Sequence, residues 1–236
     1  MISIVIPVLN EASGIKTQLT YLLASATPDH ISEIIVVDGG SEDGTPEIVE
    51  KFISQNGSSI PMLLLSSEKG RAKQMNIGAQ KALGNILYFL HADSFPPENF
   101  DVFILEQVDN GNRAGCFQMK FDSDHWWLRL AGWLTRFKWR ACRGGDQSQY
   151  ITKDLFNEIG GFDERYTIYE DNILINELYR RNEFVVIRNE LTTSCRLYRK
   201  KGIWRLQYHF WAIYVKKFFG ADADELYRYY KKNIAS

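Results

Sequence analysis

Two aspartates stand directly after apolar runs of the sequence. Asp38 closes the run at residues 34–38 and opens a glycine-rich stretch, and Asp93 follows the run at 86–90. The carboxylate of Asp38 can accept hydrogen bonds from a base or a ribose, and Asp93 can bind a hard divalent cation that also binds phosphate oxygens. Each also has an ordinary interpretation, Asp38 as a turn residue and Asp93 as a helix cap ahead of Pro96.

A second pair of carboxylates, Glu170 and Asp171, opens a helical pattern. A carboxylate near an acceptor hydroxyl can take its proton as a general base. The alternative is that the pair only stabilises the first turn, because helix N-termini favour negative charge. Gly70 and Arg71 begin another helix, whose positive end and guanidinium can face a diphosphate, and the alternative there is a solvated arginine.

The positions of these residues depend on strands that alternate with helices. Apolar runs typical of strands span residues 2–8, 34–38, 62–65 and 86–90. Helical patterns lie between them at residues 11–23, at 45–54 with Thr45 as the N-cap, and at 71–83. The alternation predicts βαβ units and a parallel sheet covered on both faces. Because ligands of such sheets bind beyond the carboxyl ends of the strands, we expect Asn10, Glu11, Asp38 and Asp93 to share one edge.

The second half of the chain has a less regular pattern. We predict a strand at 115–121, a helix at 126–140, a short helix capped by Thr152 that ends at 160–161, a helix at 170–181, a strand at 184–187, a helix at 201–219 and a polar tail at 222–236. All six tryptophans lie within 126–139 and 204–211, where apolar residues at helical spacing alternate with Lys and Arg. Such helices suit a membrane interface, or a helix pair that packs on the sheet or on another subunit.

The composition excludes several classes of protein. The 236 residues are 45% hydrophobic and 24% charged with a formal net charge of −1, which indicates a globular core and no global attraction to nucleic acid. The three scattered cysteines indicate neither a disulfide framework nor a structural zinc site. The sequence lacks GxGxxG after the first strand, a P-loop and GxSxG, which disfavours nicotinamide-dependent, P-loop and serine-hydrolase classes.

Taken in order, the motifs of this chain resemble family 2 glycosyltransferases of the GT-A fold. They are residues 6–11, 36–45, 70–72, 76–79, 90–93, 160–162 and 170–171, and they cover roughly residues 1–190. The Gly-Arg-Ala, His-Ala-Asp and Gly-Asp-Gln elements are similar to those of a bacterial subgroup of small, stand-alone members. The resemblance implies an α/β, Rossmann-like, mostly parallel central sheet flanked by helices. Residues 1–200 would form the glycosyltransferase domain, and 201–236 an aromatic helical extension.

The resemblance also implies a nucleotide-sugar site. Its members would be Pro7, Asn10, Glu11, Asp38, Gly70, Arg71, Asn76, His91, Ala92 and Asp93. Within this set, Asp38 would hydrogen-bond the base, commonly uracil, and Arg71 and Asn76 would border the pyrophosphate and the ribose.

Further positions would serve catalysis and the acceptor. By the same resemblance, Asp171 would be the general base of an inverting transferase, with Glu170 beside it. The polar loop at Asp146 and Gln147 can shape the acceptor side or form a plain turn. We assign that loop and Arg196 to the acceptor side.

The chain departs from the family pattern at two places. His91 replaces the first aspartate of the Asp-x-Asp metal motif, so a bound Mg2+ or Mn2+ would depend on Asp93 alone. The Gln-x-x-Arg-Trp motif of processive synthases is absent, although Arg196 and Arg199 lie in that region, which indicates transfer of a single sugar. We therefore expect a metal-dependent hexosyltransferase that uses a UDP-sugar in preference to a GDP-sugar.

Two other functions stay open from the sequence. A sugar-1-phosphate nucleotidyltransferase would carry a glycine-rich, basic loop where this chain has residues 7–11. A nucleotide-sugar sensor would bind the donor without needing Asp171. For a transferase we expect a cytoplasmic protein with a hydroxyl acceptor. A lipid-linked form of that acceptor stays open. The aromatic helices leave two further alternatives, which are peripheral contact with the inner face of the membrane and a homodimer.

Overall fold

The computed structural model describes residues 1–144 and 147–235, which form one curled eight-stranded sheet with flanking helices. The strands are β1 (Ile2–Val8), β2 (Ile31–Asp38), β3 (Met62–Ser66), β4 (Ile86–Phe89), β5 (Ser94–Phe95), β6 (Ala114–Phe121), β7 (Gln149–Thr152) and β8 (Val185–Thr193). Their order is β3-β2-β1-β4-β7-β6-β8-β5. Within the described chain four neighbouring pairs are parallel and three are antiparallel, so the predicted α/β, mostly parallel sheet is confirmed.

The parallel half, β3-β2-β1-β4, consists of strands with nearly continuous apolar sequences. Every residue of β1 is buried, and Val5 pairs with Ile35 on one side and with Phe89 on the other. Isoleucine and valine suit β1, β2 and β4 because both faces of these strands are covered, whereas the edge strand β3 is partly exposed. The parallel pairing brings the carboxyl ends of all four strands to one edge.

The other half of the sheet differs from the expectation. β7 runs antiparallel between β4 and β6, and the short β5 pairs with β8. β8 extends to Thr193, well beyond the predicted strand, because it continues along β6 after a register shift next to Phe117. The sequence does not predict β5 or β7, since they have only 2 and 4 residues and show no usable period.

The described residues contain ten α-helices. They are α1 (Ile15–Ser25), α2 (Thr45–Gln55), α3 (Arg71–Lys81), α4 (Phe100–Asp109), α5 (Trp126–Leu134), α6 (Lys153–Ile159), α7 (Glu170–Arg180), α8 (Arg196–Lys201), α9 (Ile203–Phe218) and α10 (Ala223–Tyr230). The cap of α6 is as predicted, because the side chain of Thr152 accepts the backbone N–H of Leu155. α4 is absent from the sequence-based prediction, although Phe100 and Ile104 bury one of its faces.

One predicted helix start and one predicted helix cap differ from the structure, each for a local reason. α1 begins at Ile15 because the N–H groups of Gly14 and Ile15 both bond to the carbonyl of Glu11 and close a turn there. α2 includes Thr45 and follows Gly44, which has φ 86°. The Thr45 hydroxyl does not cap the helix, because it bonds to residues outside it.

The aromatic helices are shorter than predicted, and the polar tail is helical. α5 ends at Leu134, short of the predicted end, and Gly202 with φ 85° separates α8 from α9. The tail forms α10, where the Asp222 side chain accepts a backbone hydrogen bond as N-cap. Leu226 and Ile234 are 0% and 1% exposed, so apolar contacts anchor a segment of polar composition. None of the helices in the described residues has the length and apolar character needed to cross a membrane.

Buried apolar side chains form three clusters in the described chain. Two of them lie on opposite faces of the sheet, since one contains Ile4 and the other contains Val5, its neighbour in β1. The third joins β6 and α5 to α8, α9 and α10 through residues such as Phe121, Leu128 and Leu206. This third cluster lies on both sides of the predicted boundary at residue 200, and the division into a domain and an extension stays a prediction.

Gly78 allows α3 to lie very close to the strands beneath it. A Cβ at this position would lie 2.3 Å from Val5 Cγ1 and 3.3 Å from Val37 Cγ2. Since the first separation is far inside van der Waals contact, any side chain would push the helix away from the sheet. α3 begins shortly after β3 ends, so this close packing holds Gly70 and Arg71 near the carboxyl edge.

Gly78→Ala should destabilise the fold by about 1–3 kcal/mol, because overpacking outweighs the gain in helix propensity. Urea unfolding would show the loss as a lower midpoint at an unchanged slope. Gly57→Ala is the control, since a Cβ at Gly57 meets nothing within 4 Å. Equal stability of the two variants would contradict the close approach of α3 to β1.

Candidate functional site

The carboxyl edge of the parallel strands gathers several predicted donor-site residues. Asp38 ends β2 in register with Val8, the last residue of β1. β4 ends just before Leu90, whose backbone N–H bonds to β1 at 3.0 Å. Asn10, Asp38 and Asp93 therefore lie at or just beyond the ends of three neighbouring strands.

Hydrogen bonds clasp the loop after β1 to the loop after β2. The backbone N–H of Asn10 donates to Ser41 Oγ at 2.8 Å, and its Oδ1 accepts the Glu42 N–H at 2.9 Å. The N–H of Glu11 donates to the Thr45 hydroxyl at 2.9 Å. Asn10 has φ 56°, a left-handed conformation that asparagine adopts more readily than most residues. Asn10 thus shapes the wall of the edge, and a direct ligand contact through its amide stays a prediction.

Asp43 closes the same clasp with its carboxylate. Oδ2 accepts the Ala12 N–H at 3.0 Å, and Oδ1 accepts the Thr45 N–H at 3.1 Å together with the Thr45 hydroxyl. The Thr45 hydroxyl and then the Ala12 N–H hold the pKa of Asp43 below its usual value. Because the pKa is lower in the folded state, the ionised carboxylate stabilises the folded loop at every pH above the ordinary carboxyl pKa. This stabilisation is lost as the pH falls through the lowered pKa. The clasp is therefore fully charged at neutral pH.

Asp38 offers one uncommitted carboxylate oxygen at this edge. The residue is 5% exposed, and its Oδ2 accepts the N–H groups of Gly40 and Ser41 at 2.9 and 3.0 Å. Its Oδ1 is buried and has no hydrogen-bond partner within the described residues. Since a buried acceptor without a donor is costly, this atom is suited to receive an N–H or O–H group of a ligand.

Asp93 stands in a turn that backbone hydrogen bonds fix. The Ser94 N–H donates to the His91 carbonyl at 3.1 Å, and the Ser194 N–H donates to the Asp93 carbonyl at 3.2 Å. The Asp93 side chain is 36% exposed. The next helix, α4, has Asn99 as its N-cap, so the ordinary interpretation of Asp93 as a capping residue is wrong.

Arg196 joins two acidic side chains across the edge. Its guanidinium binds both carboxylate oxygens of Glu11 at 2.8 to 3.1 Å and reaches Asp93 Oδ2 at 3.9 Å. The bond to Glu11 raises the pKa of Arg196 further, so the side chain keeps its charge at any working pH. We predicted Arg196 on the acceptor side, whereas it contacts two residues predicted for the donor site.

A divalent cation at this edge would find oxygen ligands but no complete protein cage. In residues 1–144 and 147–235 no group of three or more His, Cys, Asp or Glu could hold a metal. Mg2+ and Mn2+ accept such a site when one or two carboxylates bind them and phosphate and water supply the other ligands. The partly exposed carboxylate of Asp93 fits a cation that arrives with a diphosphate.

Arg71 pairs with the two carboxylates predicted for catalysis. Its Nε lies 2.6 Å from Glu170 Oε1, and a terminal nitrogen lies 3.7 Å from Asp171 Oδ2. The Glu170 side chain is fully buried and that of Asp171 is 9% exposed. The contact joins the N-terminus of α7 to the N-terminus of α3, so both carboxylates lie near the same sheet edge. The guanidinium is partly committed to them, and its place at the pyrophosphate stays a prediction.

Asn76 is used by the protein itself. Its Nδ2 donates to the Phe162 carbonyl at 2.9 Å and to Glu164 at 2.8 Å, and its Oδ1 accepts the Phe162 N–H at 2.9 Å. Gly161, with φ 78°, permits this approach, because a Cβ there would lie 2.9 Å from Asn76 Oδ1. Asn76 therefore holds the loop that leads towards α7, and its ribose contact stays a prediction.

The other predicted residues take several different positions. Pro7 and Ala92 are buried near the edge, and Gly70 is the N-cap of α3 with φ 143°. Gln147 is buried and donates to a backbone carbonyl at 3.3 Å, so it belongs to the interior of its loop. Asp146 lies outside the described residues.

Gln74 is a positioning residue that the sequence-based prediction misses. It is 3% exposed, and its Nε2 donates to the carbonyls of Val8 and Val37 at 2.8 and 2.7 Å. It thereby connects the ends of β1 and β2 to α3. The Gln74 side chain also packs against Gly39, where a Cβ would lie 2.9 Å from it. The available signal was a polar residue one helical turn before Gly78, on the helix face that meets the sheet.

In sequence, this chain is similar to glycosyltransferases. Residues 3–206 match the profile described as glycosyl transferase family 2. The glycosyltransferase AglE of Haloferax volcanii is 34% identical over 99 residues, which are 42% of this chain and 32% of that protein. An undecaprenyl-phosphate 4-deoxy-4-formamido-L-arabinose transferase of Aeromonas hydrophila is 27% identical over 154 residues, 64% of this chain and 46% of that protein. The chain thus spans about a third to a half of the length of these relatives.

Solved structures share the fold. TarS of S. aureus, residues 1–349 in complex with UDP, has a TM-score of 0.68 and 18% identity, covering 82% of this chain and 60% of that one. The mannosyltransferase PcManGT from Pyrobaculum calidifontis, in complex with GDP-Man and Mn2+, has a TM-score of 0.70 and 17% identity, covering 99% and 68%. At these identities the likeness concerns the fold, and it confirms the GT-A fold that the motifs imply.

Gln74→Leu should loosen the carboxyl edge, because it leaves two strand-end carbonyls without their donor. We expect a loss of about 2–4 kcal/mol in the free energy of unfolding, measured by urea titration. Gln80→Leu is the control, since Gln80 is an exposed glutamine on the same helix, and it should change stability by less than about 0.5 kcal/mol. Equal effects of the two substitutions would argue against a positioning role for Gln74.

Proposed function

Because this chain belongs to glycosyl transferase family 2, we propose that it transfers one sugar from a nucleotide-diphosphate sugar to an acceptor hydroxyl. The observation that carries the proposal is the convergence of Asp38, Asp93 and Asp171 near one edge of the parallel sheet. Their surroundings differ: Asp38 is buried with an open acceptor, Asp93 lies beside Arg196, and Asp171 lies beside Arg71. Three roles follow, in recognition of the base, binding of the diphosphate and transfer of a proton.

Asp38 supports recognition of the donor base. Its buried Oδ1 has no partner within the described residues and can accept an imide N–H of uracil or a ring N–H of guanine. TarS was solved with UDP and with UDP-GlcNAc, and the Pyrobaculum mannosyltransferase with GDP-Man. For this chain we propose a UDP-sugar in preference to a GDP-sugar.

Asp93 and Arg196 support binding of the diphosphate. A Mg2+ or Mn2+ ion held by Asp93 would supply positive charge to the departing nucleoside diphosphate. Arg196 adds a permanent positive charge 3.9 Å from Asp93. The N-terminus of α3 at Gly70 adds backbone N–H groups, whose partial positive charge would also attract the diphosphate.

Asp171 supports a single displacement with inversion at the anomeric carbon. Its carboxylate would take the proton of the acceptor hydroxyl while the hydroxyl oxygen bonds to the anomeric carbon. The bond from that carbon to the diphosphate oxygen breaks, and its electron pair leaves with the nucleoside diphosphate. Arg71, which lies 2.6 Å from Glu170 and 3.7 Å from Asp171, would hold the two carboxylates in position.

The acceptor is proposed from a relative and from motifs of the chain. The name of the Aeromonas relative contains undecaprenyl phosphate, which is itself a lipid. We propose a lipid-linked acceptor for this chain, with the extension at 201–236 on the acceptor side. Since the Gln-x-x-Arg-Trp motif is absent, we propose transfer of one sugar and not polymerisation.

Asp171→Asn should lower sugar transfer, or slow donor hydrolysis to water, by about 100-fold or more, because it removes the base. Donor binding should persist. The measurements are release of nucleoside diphosphate from UDP- and GDP-sugars, and donor affinity by calorimetry. Asp154→Asn is the control, because Asp154 is an exposed aspartate in the first turn of α6. Undiminished transfer by the Asp171 variant would remove this residue from the role of base.

Asp93→Asn should abolish the part of nucleotide binding that depends on Mn2+. In a thermal-shift assay UDP should raise the melting temperature of the unsubstituted protein more with Mn2+ than without it. In the variant the two shifts should be equal, whereas Asp109→Asn, at an exposed aspartate of α4, should behave as the unsubstituted protein. A full Mn2+ effect in the Asp93 variant would exclude Asp93 as the ligand, and a larger shift with GDP would reverse the proposed base.

Product analysis separates the proposal from its two alternatives. Release of a nucleoside diphosphate supports a transferase. Release of pyrophosphate would indicate a nucleotidyltransferase, and donor binding without turnover would indicate a sensor.

A further inference from the structure

Helix α9 exposes a stripe of apolar side chains at helical spacing. The stripe consists of Trp204, Tyr208, Trp211, Val215 and Phe218, which are between 50% and 84% exposed. The same helix already buries Leu206 and Ile213 in the third cluster, so the stripe is additional to the face used for packing. A contiguous apolar surface of this kind marks an interaction site, whereas single exposed apolar residues do not.

Helix α5 carries a second stripe that joins the first. Trp126, Leu130 and Trp133 are 60%, 39% and 46% exposed and share one helix face. The rings of Trp126 and Trp204 lie 5.8 Å apart, and Trp127 bridges to Trp211 at 5.9 Å. We call the two joined stripes the aromatic face.

The aromatic face lies in the most basic part of the chain. Residues 126–143 and 196–219 contain twelve Lys and Arg and no Asp or Glu, although the whole chain has a net charge of −1. Of the twelve, Arg143 is buried, and Arg199 and Lys216 pair with carboxylates of adjoining segments. Arg129 and Arg205 are exposed within the two stripes. Arg136 lies over the Trp133 ring, 5.5 Å from its centre. The surface therefore combines aromatic rings with positive charge.

We propose that the aromatic face docks on the surface of an anionic lipid bilayer. Tryptophan and tyrosine rings suit the boundary between head groups and acyl chains, and Arg and Lys bind acidic head groups while their stems cover apolar surface. α5 and α9 would lie in the plane of the interface. Charge disfavours a second copy as the occupant, because a two-fold contact would set Arg129 and Arg205 against basic residues of an identical face.

The aromatic face is connected along the chain to the carboxyl edge of the parallel strands, where the proposed donor site lies; we call this the donor edge. α8 begins at Arg196, which contacts Glu11 and Asp93, and only Gly202 separates α8 from α9. A docked membrane would therefore lie within one short helix of the donor edge. The corollary that a lipid-linked acceptor reaches the site from this membrane rests on the proposed function, whereas docking itself does not.

Vesicle flotation of the full chain tests the docking. The probes are vesicles of phosphatidylcholine alone and of phosphatidylcholine with an equimolar amount of phosphatidylglycerol. We expect binding to the anionic vesicles, weaker binding to the neutral ones and loss of binding in high salt. Absence of binding to the anionic vesicles overturns the proposal.

A double variant of exposed apolar residues, compared with a control elsewhere, locates the binding surface. Phe218→Ser combined with Phe219→Ser changes the last residue of the α9 stripe and the exposed C-cap next to it, which are 84% and 81% exposed, and should weaken binding about tenfold. Leu83→Ser is the matched control, because Leu83 is 81% exposed on another part of the chain. Equal weakening by the control overturns the proposal.

Charge reversal provides an independent comparison. Arg129→Glu with Arg205→Glu should also weaken binding about tenfold. Lys51→Glu with Lys81→Glu changes the net charge equally at exposed lysines of α2 and α3 and should have little effect. If both pairs weaken binding alike, binding reports net charge only, which overturns the proposal.

Two further measurements separate the possible failures. If the chain does not float with vesicles, light scattering tests for a dimer instead. A dimer that the Phe218 and Phe219 double variant converts to monomer would assign the aromatic face to a second copy of the chain and overturn the proposal. Thermal shift by UDP-sugars without vesicles tests donor binding alone and should be unchanged in that variant. Flotation without any donor binding would leave the docking intact and count against the proposed function.

Discussion

The carboxyl edge, where the candidate site lies, depends on the parallel pairing of β1 with β2 and β4. Because β1 is buried along its whole length and both neighbours run in its direction, their carboxyl ends must meet. The residues at or just beyond the strand ends, among them Asn10, Asp38 and Asp93, are thereby brought together. Gln74 and the clasp around Asp43 then fix the fine geometry by satisfying the backbone groups that the strand ends leave open.

Arginines from distant parts of the chain balance the acidic groups of the edge. Arg71 lies against a fully buried Glu170, and Arg196 binds Glu11 through both carboxylate oxygens. Ion pairs that are partly buried gain little stability, because the cost of removing the charges from water offsets their attraction. The proposed function would account for such pairs, since Asp171 and Asp93 stand beside the same guanidiniums, and a base and a metal ligand both need a defined charge and orientation.

The sequence was informative where one local pattern determines the outcome. The N-terminal strands could be predicted because a strand buried on both faces has a nearly continuous apolar sequence, and the edge rule then located Asp38 and Asp93. β5, β7 and the helical tail could not, because two to four residues have no period and the polar composition of α10 conceals its few anchors. The partners of Asn76 and Arg196 are 86 and 185 positions away, so only the assembled fold determines them.

The long separation between Glu11 and Arg196 bears on the order in which the protein is made. A chain leaves the ribosome N-terminus first, so β1 to β4 can pair while the region of α8 is still being synthesised. During that interval Glu11 and Asp93 lie at the edge without the guanidinium that later contacts both. The four parallel strands can therefore pair before the charge of this edge is balanced. The carboxyl edge gains its last charged contact only when Arg196 emerges and meets Glu11, 185 positions before it.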